Sequence, residues 1–234
     1  MRRSKRYKQG AAALPGQDTY PLAEAIEALQ SFPRARFDET VEMALNLGVD
    51  PKKSDQMVRG TVTLPNGTGK VPKIVVVTRS EENAKASLKA GAAEAGYEEL
   101  IQRISGGWLD FDVLIASPDV MRDLGRLGKT LGPKGLMPSP KAGTVTENVV
   151  AAVEEVKKGK IEFKMDRNAN IHVPIGKLSF ARESLIGNAE AVVSALYRAK
   201  PAGAKGQYIR SVTITSTMGP GLKLDVREML PSAR

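Results

Sequence analysis

The sequence has no cysteine and only one histidine, His172, among its 234 residues. Without cysteine the chain cannot form a disulfide, and it has no thiolate for catalysis, for zinc or for an iron–sulfur cluster. A single histidine also excludes a site built from several histidine ligands. We therefore expect no metal site and no cofactor.

Long hydrophobic runs are also missing. The longest apolar runs, such as Ile74 to Val77, are far shorter than the ~20 residues of a membrane-spanning helix. A basic start is followed by AAALPGQD, in which Pro15 and Gly16 interrupt any hydrophobic signal segment. These features predict no membrane partner, no secretory signal and a reduced, cytoplasmic setting.

Positive charge is in excess and lies at the two ends of the chain. The formal net charge is +9, with an isoelectric point of about 9.7. Residues 1–10 carry five Lys or Arg and no acid, and residues 160–234 carry twelve basic and six acidic residues. A positive field attracts polyanions, of which phosphate backbones are the commonest. A basic surface that only aids solubility is the alternative interpretation.

The middle of the chain alternates between strand and helix patterns. Strands are predicted at 71–79 and 111–117, and helices at 81–90, at 98–105, after Pro118 and at 146–159, the last with Thr146 as N-cap. Such alternation is typical of a mostly parallel sheet covered by helices on both faces.

The ends of the chain show a different pattern. From Phe37 apolar residues fall on odd positions, at Val41, Met43, Leu45, Leu47 and Val49, which predicts a strand with one wet face. Helices are predicted at 21–30 and around 185–196, a hairpin at 161–176 with a turn near 167–170, and a strand at 211–217.

Neither end contains enough elements for a stable core of its own. We therefore predict two domains in a mixed α/β and α+β chain. Residues 1–67 and 160–234 form a discontinuous α+β domain, and residues 68–159 form an inserted three-layer α/β (Rossmann-like) domain. The two crossings, near 65–72 and 157–160, are rich in Gly, Pro or Lys and invite a hinge.

An enzyme that depends on a nucleotide and uses the middle domain is the alternative function. GKT at 128–130 ends like a phosphate-binding loop, but Asp123 stands where that motif needs glycine. GTGK at 67–70 is followed by Val71 instead of Ser or Thr. His172 lies in a predicted strand and faces away from its apolar neighbours, which favours an exposed contact residue over a general base. We expect no catalytic residues.

Two segments have unusual compositions. Residues 127–146 combine four glycines, three prolines and three lysines; they form either an irregular loop that caps the sheet or a rigid surface for nucleic acid or a ribosomal partner. Residues 211–221, SVTITSTMGPG, offer hydroxyls and glycine backbone of the kind that contacts RNA sugars and phosphates.

Phe37, which follows Arg34 and Arg36, is the candidate aromatic partner of that segment. Its phase with Val41 equally fits a core residue, and strand propensity alone explains Thr213 and Thr215. We expect the basic N-terminal residues to form a flexible tail, which either orders on a phosphate backbone or stays solvated.

Five segments together resemble the ribosomal protein L1 family, from the mobile stalk of the bacterial large ribosomal subunit. They are RFDETVEMALNLGVDPKKSDQMVRGTVTLPNGTGK (36–70), GWLDFDVLIASPDVM (107–121), LGKTLGPKGLMPSPKAGTVT (127–146), IEFKMDRNANIHVPIGK (161–177) and KGQYIRSVTITSTMGPG (205–221). They span almost the whole chain in family order.

The resemblance implies a non-enzymatic protein that binds the stalk helices of large-subunit rRNA, mainly through the discontinuous domain. It also implies assistance to tRNA release from the exit site and repression of the protein's own operon mRNA. The RNA-contact signature of the family falls on Phe37, Thr217, Met218 and Gly219, then on Ser211 and Arg36, and then on Glu27, Thr40, Asp166, Arg167 and His172.

Overall fold

The structure, a computed structural model, describes residues 3–12, 14 and 16–229. It divides into two compact units, Met1–Gly69 with Ile161–Arg234, and Lys70–Lys160. In the described ranges no helix is both long enough and apolar enough to cross a bilayer. This division does not test whether the first unit binds RNA, which stays a prediction.

The regular elements of the described residues follow one another along the chain. They are α1 (Lys5–Ala12), α2 (Leu22–Ser31), β1 (Thr40–Leu47), β2 (Arg59–Thr63), β3 (Ile74–Val77), α3 (Glu81–Ala90), β4 (Glu94–Gly96), α4 (Glu98–Ser105), β5 (Val113–Ala116), α5 (Met121–Gly125), α6 (Gly128–Leu131), α7 (Val149–Lys157), β6 (Lys160–Lys164), β7 (Asn170–Lys177), α8 (Arg182–Arg198), β8 (Ile209–Ser216) and β9 (Leu222–Leu224). Short 3₁₀ turns occur at Ser54–Gln56, Pro118–Val120 and Pro140–Ala142.

The first unit is built on an antiparallel sheet with strand order β7-β1-β8-β9. Strand β1, from the start of the chain, lies between β7 and β8 from its end and bonds to both. The alternate side chains Val41, Met43, Leu45 and Leu47 are at most 1% exposed and pack with the apolar residues of α2 and α8. The period-two prediction for this strand is confirmed, and its other face is left for polar residues.

The second unit contains a parallel sheet with strand order β4-β3-β5. All four residues of β3 are buried, and they alternate between two cores. Val75 and Val77 pack with residues of α4, and Ile74 and Val76 pack with residues of α7. This confirms a parallel sheet covered on both faces. The short strand β4 was not predicted, because EAG has neither length nor β-branched residues.

The predicted hairpin at 161–176 is wrong. Its turn exists, but β6 pairs with β2 in a separate two-stranded sheet, whereas β7 pairs with β1. Beside β6, Gly60 of β2 leaves room for the Phe163 ring, because a Cβ on Gly60 would lie 2.7 Å from that ring. The backbone N–H of Met165 continues this pairing by donating to the carbonyl of Val58 at 2.9 Å. Each strand therefore has a better partner than the neighbouring strand in sequence.

Two smaller predictions are also corrected. Asn148, and not Thr146, caps α7: its side chain accepts the N–H of Ala151 at 3.1 Å, while the Thr146 hydroxyl accepts the N–H of Asn148. The basic N-terminal residues form α1 where a flexible tail was expected, although Met1 and Arg2 lie outside the described residues. This helix is held because Gly10 is buried against the Phe32 ring, where a Cβ would have no space.

Candidate nucleic-acid interface

The outward side of the four-stranded sheet carries small polar groups. We call it the polar face, and it comprises Thr40, Glu42, Ala44, Asn46, Asn170, His172, Ser211, Thr213 and Thr215. Ala44 lies between His172 and Thr213, and Asn46 lies between Asn170 and Ser211. His172 is exposed while Ile171 and Val173 are buried, as its position in the strand predicted. The face therefore offers hydroxyl, amide and imidazole groups in register across neighbouring strands.

One end of this face presents two large apolar side chains to solvent. Phe37 is 54% exposed and Met218 is 52% exposed. The interpretation of Phe37 as a core residue is therefore wrong, because β1 begins only at Thr40 and the alternation does not extend back to Phe37. Gly219 follows Met218 in a tight turn, where a Cβ would collide with the Ser216 hydroxyl.

Thr217 attaches the turn after β8 to the start of β1. Its hydroxyl accepts the N–H of Thr40 at 3.0 Å and lies 3.3 Å from the carbonyl oxygen of Thr40. Its backbone N–H donates to the same carbonyl at 3.0 Å. Thr40 and Thr217, predicted from distant parts of the sequence, are thus direct neighbours.

Glu39 organises this end of the face from beneath. Its carboxylate is 1% exposed and accepts three hydrogen bonds, from the N–H of Ala35 (2.9 Å), the N–H of Met218 (2.9 Å) and the hydroxyl of Ser216 (2.8 Å). The carboxylate therefore connects the segment before β1, which contains Phe37, to the turn that contains Met218. Sequence reasoning missed this residue, although a carboxylate at an inward position before Val41 was a signal that could have found it.

The pKa of the Glu39 carboxyl group lies below its ordinary value of 4.5. Burial is the largest single influence and raises the pKa, because it disfavours the charged form. The hydrogen bonds from Ala35, Met218 and Ser216 and the charge of Arg6 together outweigh it. Glu39 is therefore ionised at neutral pH despite its burial.

Arg6 of α1 completes this arrangement. Its guanidinium group donates to the carbonyl oxygen of Met218 at 2.7 Å and to the carbonyl of Pro33, and it lies 3.7 Å from the Glu39 carboxylate. It also stacks over the Phe32 ring at 5.7 Å. The N-terminal helix is therefore part of the framework that holds Met218 and the segment before Phe37.

At the opposite end of β1, the turn after β6 is closed by Asp166. Its carboxylate accepts the N–H groups of Asn168 and Asn170 at 2.8 Å each, and the bond from Asn170 is the main reason that the pKa of Asp166 is lowered. The Asn46 amide donates to the Asn170 side chain at 2.8 Å. Arg167 is exposed at this turn. Asp166 and Arg167 are thus held next to the end of the polar face that contains Ser211.

The predicted residues therefore form two groups, about 20 Å apart along β1 at ~3.4 Å per residue. The first contains Phe37, Thr40, Thr217, Met218 and Gly219, with Arg36 exposed beside Phe37. The second contains Ser211, Asp166 and Arg167, and His172 lies between the groups. Glu27 belongs to neither: it lies on α2 and pairs with Arg182 at 3.1 Å. In the described part of the chain no cluster of acidic or histidine side chains is suited to hold a metal ion.

Comparison with known proteins identifies the family. A model described as the Ribosomal protein L1p/L10e family matches residues 29–220. The chain belongs to this family. It is 54% identical over 227 residues to "Large ribosomal subunit protein uL1" of Protochlamydia amoebophila, covering 97% of this chain and 96% of the relative. It is 56% identical to the protein of that name from Chlamydia caviae, covering 92% of each, and 51% identical to that from Salinispora tropica, covering 96% and 94%.

Membership of the L1 family confirms the resemblance and rejects the enzyme alternative, because this is a family of structural ribosomal proteins. The match begins within α2 and ends just past Gly219, so it includes both strands that border the apolar end of the polar face. It also includes Glu39 and excludes Arg6.

In this L1-family chain, the glycine-rich segment 127–146 is attached to the edge of β5. The backbone of Ala116 exchanges hydrogen bonds with Thr144 and Thr146 at 2.9 and 3.1 Å, and the Thr144 hydroxyl accepts the N–H of Ser139 at 2.8 Å. Leu131, within the segment, is fully buried and packs with the core that contains Val75 and Val77. The loop therefore closes one side of the sheet. Its three lysines, Lys129, Lys134 and Lys141, are exposed, and their contact with a partner stays a prediction.

Proposed function

We propose that this chain binds the stalk helices of large-subunit rRNA through the polar face and the residues at its two ends. The observation that carries the proposal is the apolar end of that face. Phe37 and Met218 are exposed there, yet the buried Glu39 carboxylate accepts the backbone N–H of Met218 and that of Ala35, two residues before Phe37. Exposed apolar side chains on a rigid support suit contact with bases and sugars, whereas a flexible surface would lose entropy on binding.

The physical mechanism is recognition of the shape of folded RNA. The hydroxyl and amide groups of the polar face suit hydrogen bonds to 2′-hydroxyls and phosphate oxygens. Arg36 and Arg167, one near each end, add attraction to phosphates. If about 4–6 phosphates are neutralised, log affinity falls with log salt at a slope of about −3 to −5.

We extend the proposal to the other partners of the family resemblance. The chain, located in the cytoplasm on the large ribosomal subunit, assists the release of tRNA from the exit site. It also represses translation of its own operon mRNA. One polar face cannot hold rRNA and mRNA at the same time, so the two RNAs would compete, and repression would begin when rRNA sites are filled.

Binding of a stalk-helix transcript to the whole chain tests the proposal. Because stacking on a base contributes about 1–3 kcal/mol, we expect Phe37→Ala to weaken binding about 5- to 150-fold. Met57→Ala is the matched control, since Met57 is 49% exposed in the same unit and lies on no strand of the sheet. We expect less than a twofold effect from it. Equal affinities of Phe37→Ala and the unmodified chain would contradict the proposal.

A further inference from the structure

An open cleft of about 530 Å³ lies at the end of β1 that is distant from Phe37. The residues that line it include Gly48, Asp50, Lys53, Gly203, Lys205 and Arg210. One wall is the turn that follows β1, and the other is the segment that leads into β8. Gln56 links the two walls, because its side chain accepts the N–H of Asp50 at 2.7 Å and donates to the carbonyl of Gly203 at 3.4 Å. The cleft is therefore a built feature of the fold.

The cleft is positively charged. Lys53, Lys205 and Arg210 line it, and within the described residues none of the three forms an ion pair. Two carboxylates lie at the cleft: Asp50 accepts the backbone N–H of Lys52 at 3.0 Å, and the Oδ2 atom of Asp55 lies 3.2 Å from the position that a Cβ of Gly203 would take. The three cations still outnumber them. Three cations in one concave surface repel one another, and an anion placed among them would relieve that repulsion.

A β-bulge directs one of these cations into the cleft. Asn46 pairs with Ser211 and Leu47 pairs with Ile209, so Arg210 is an extra residue without a partner on β1. Bulges change the direction of a side chain and are common near functional sites. The Nε atom of Arg210 lies 3.5 Å from the position that a Cβ of Gly48 would take, so the guanidinium group covers the end of β1.

The cleft is continuous with the second group of predicted contact residues. Arg210 is the immediate neighbour of Ser211 in β8. The residue before Gly48, Leu47, donates its N–H at 2.8 Å to the carbonyl of Ala169 in the turn that carries Arg167. The cleft therefore extends the polar face beyond Asn46 at the level of both Ser211 and that turn.

We propose that this cleft is a further RNA-binding subsite, which takes the phosphodiester backbone of the strand that crosses the polar face. The proposal rests on the proposed function and lengthens its RNA footprint. Lys53, Lys205 and Arg210 bind phosphate oxygens, and the glycine backbones at 48 and 203 allow the strand to approach closely. Because the contacts are to the backbone, the subsite adds affinity for any sequence and adds little discrimination between sequences.

The salt dependence of binding to a stalk-helix transcript tests this subsite. Each neutralised phosphate contributes roughly 0.7–0.9 to the slope of log affinity against log salt. We expect a variant with Lys53→Gln, Lys205→Gln and Arg210→Gln to reduce the magnitude of that slope by about 2–3. The control carries Lys52→Gln, Lys164→Gln and Arg198→Gln, which removes the same charge from exposed positions of the same unit outside the cleft.

The absence of cysteine allows a second, positional measurement. A single cysteine introduced as Lys205→Cys can carry an iron chelate that cleaves nearby RNA backbone, and Arg198→Cys provides the matched control. We expect discrete cuts in the bound transcript from position 205 and none from position 198.

The outcomes separate the two proposals. If the unmodified chain fails to bind the transcript, the proposed function fails and the subsite fails with it. If the unmodified chain binds, but the cleft variant and its control change the slope equally, the subsite alone is overturned. An absence of cuts from position 205 in a bound complex overturns it as well.

Discussion

Glu39→Gln is the substitution that most directly tests the support of the apolar end. It keeps the size of the side chain but replaces one oxygen with an NH₂ group. In the structure one carboxylate oxygen accepts the N–H of Ala35, and the other accepts the N–H of Met218 and the Ser216 hydroxyl. Whichever way the amide turns, a donor faces a backbone donor inside the protein.

A buried donor that loses its partner costs about 1–3 kcal/mol. We therefore expect the amide proton that the NH₂ group faces, of Ala35 or of Met218, to exchange with solvent about 5- to 150-fold faster in the variant. Amide exchange measured residue by residue suits this test, because the single tryptophan, Trp108, lies in the other unit and would not report on Glu39. RNA affinity should fall in parallel, since the segment that contains Phe37 and the turn that contains Met218 are no longer both bonded to Glu39.

The matched control is Glu42→Gln, an exposed carboxylate on the same strand. We expect it to leave the exchange of Ala35 and Met218 unchanged within about twofold, because surface substitutions change stability by only about 0.5 kcal/mol. If Glu39→Gln behaved like this control, the inference that a buried carboxylate holds this end together would be wrong.

The lowered pKa of Glu39 adds a pH dependence with a definite sign. The unfolded chain binds a proton at Glu39 near its ordinary pKa of 4.5, above the folded value, so protonation favours unfolding. The stabilisation is complete above about pH 5 and is lost as the pH falls through the folded pKa. The advantage of the unmodified chain over Glu39→Gln, measured as exchange protection, should therefore shrink below pH 4.5. A constant difference down to pH 3 would contradict this.

Two further predictions concern the same end of the face. Arg6→Ala removes the guanidinium hydrogen bond to the Met218 carbonyl and should weaken RNA binding by about 1.5–3 kcal/mol, the usual range for hydrogen bonds to charged groups. The control, Lys5→Ala at an exposed neighbouring position, should weaken binding less than twofold. Equal losses of affinity would mean that α1 acts through charge alone. Thr217→Val should cost about 1–3 kcal/mol of RNA affinity and should speed the exchange of the Thr40 amide proton with solvent. Thr217→Ser keeps the hydroxyl and should restore both the affinity and the slow exchange. If Thr217→Ser lost as much affinity as Thr217→Val, the hydroxyl would be excluded as the cause.

Elements with a strong local pattern could be predicted from the sequence. The sequence places α3 at 81–90 and α4 at 98–105, which are the bounds in the structure, because acidic first turns and a following glycine mark their ends. The pairing of strands was harder to predict from the sequence. Whether β6 joins β7 or β2 depends on contacts between distant residues, such as Phe163 with Gly60, which no local pattern encodes.

The candidate site shows the same division. The exposed residues of the polar face follow from alternation along β1, β7 and β8, and the family resemblance supplied Phe37, Thr217 and Met218. The groups beneath and beside them did not follow from the sequence. Glu39 and Arg6 act through backbone atoms of remote segments, and Arg210 is exposed by a bulge that appears only when two strands are aligned.

The position of β1 between β7 and β8 determines the order in which the two units can form during synthesis. Ala44 pairs with His172 and Thr213, which lie about 130 and 170 residues later in the chain. The second unit, in contrast, is continuous in sequence and is complete once Lys160 has left the ribosome. Domains that are contiguous fold as they emerge. We therefore expect a nascent chain to complete the second unit first, and the polar face to form only after β8 has been made.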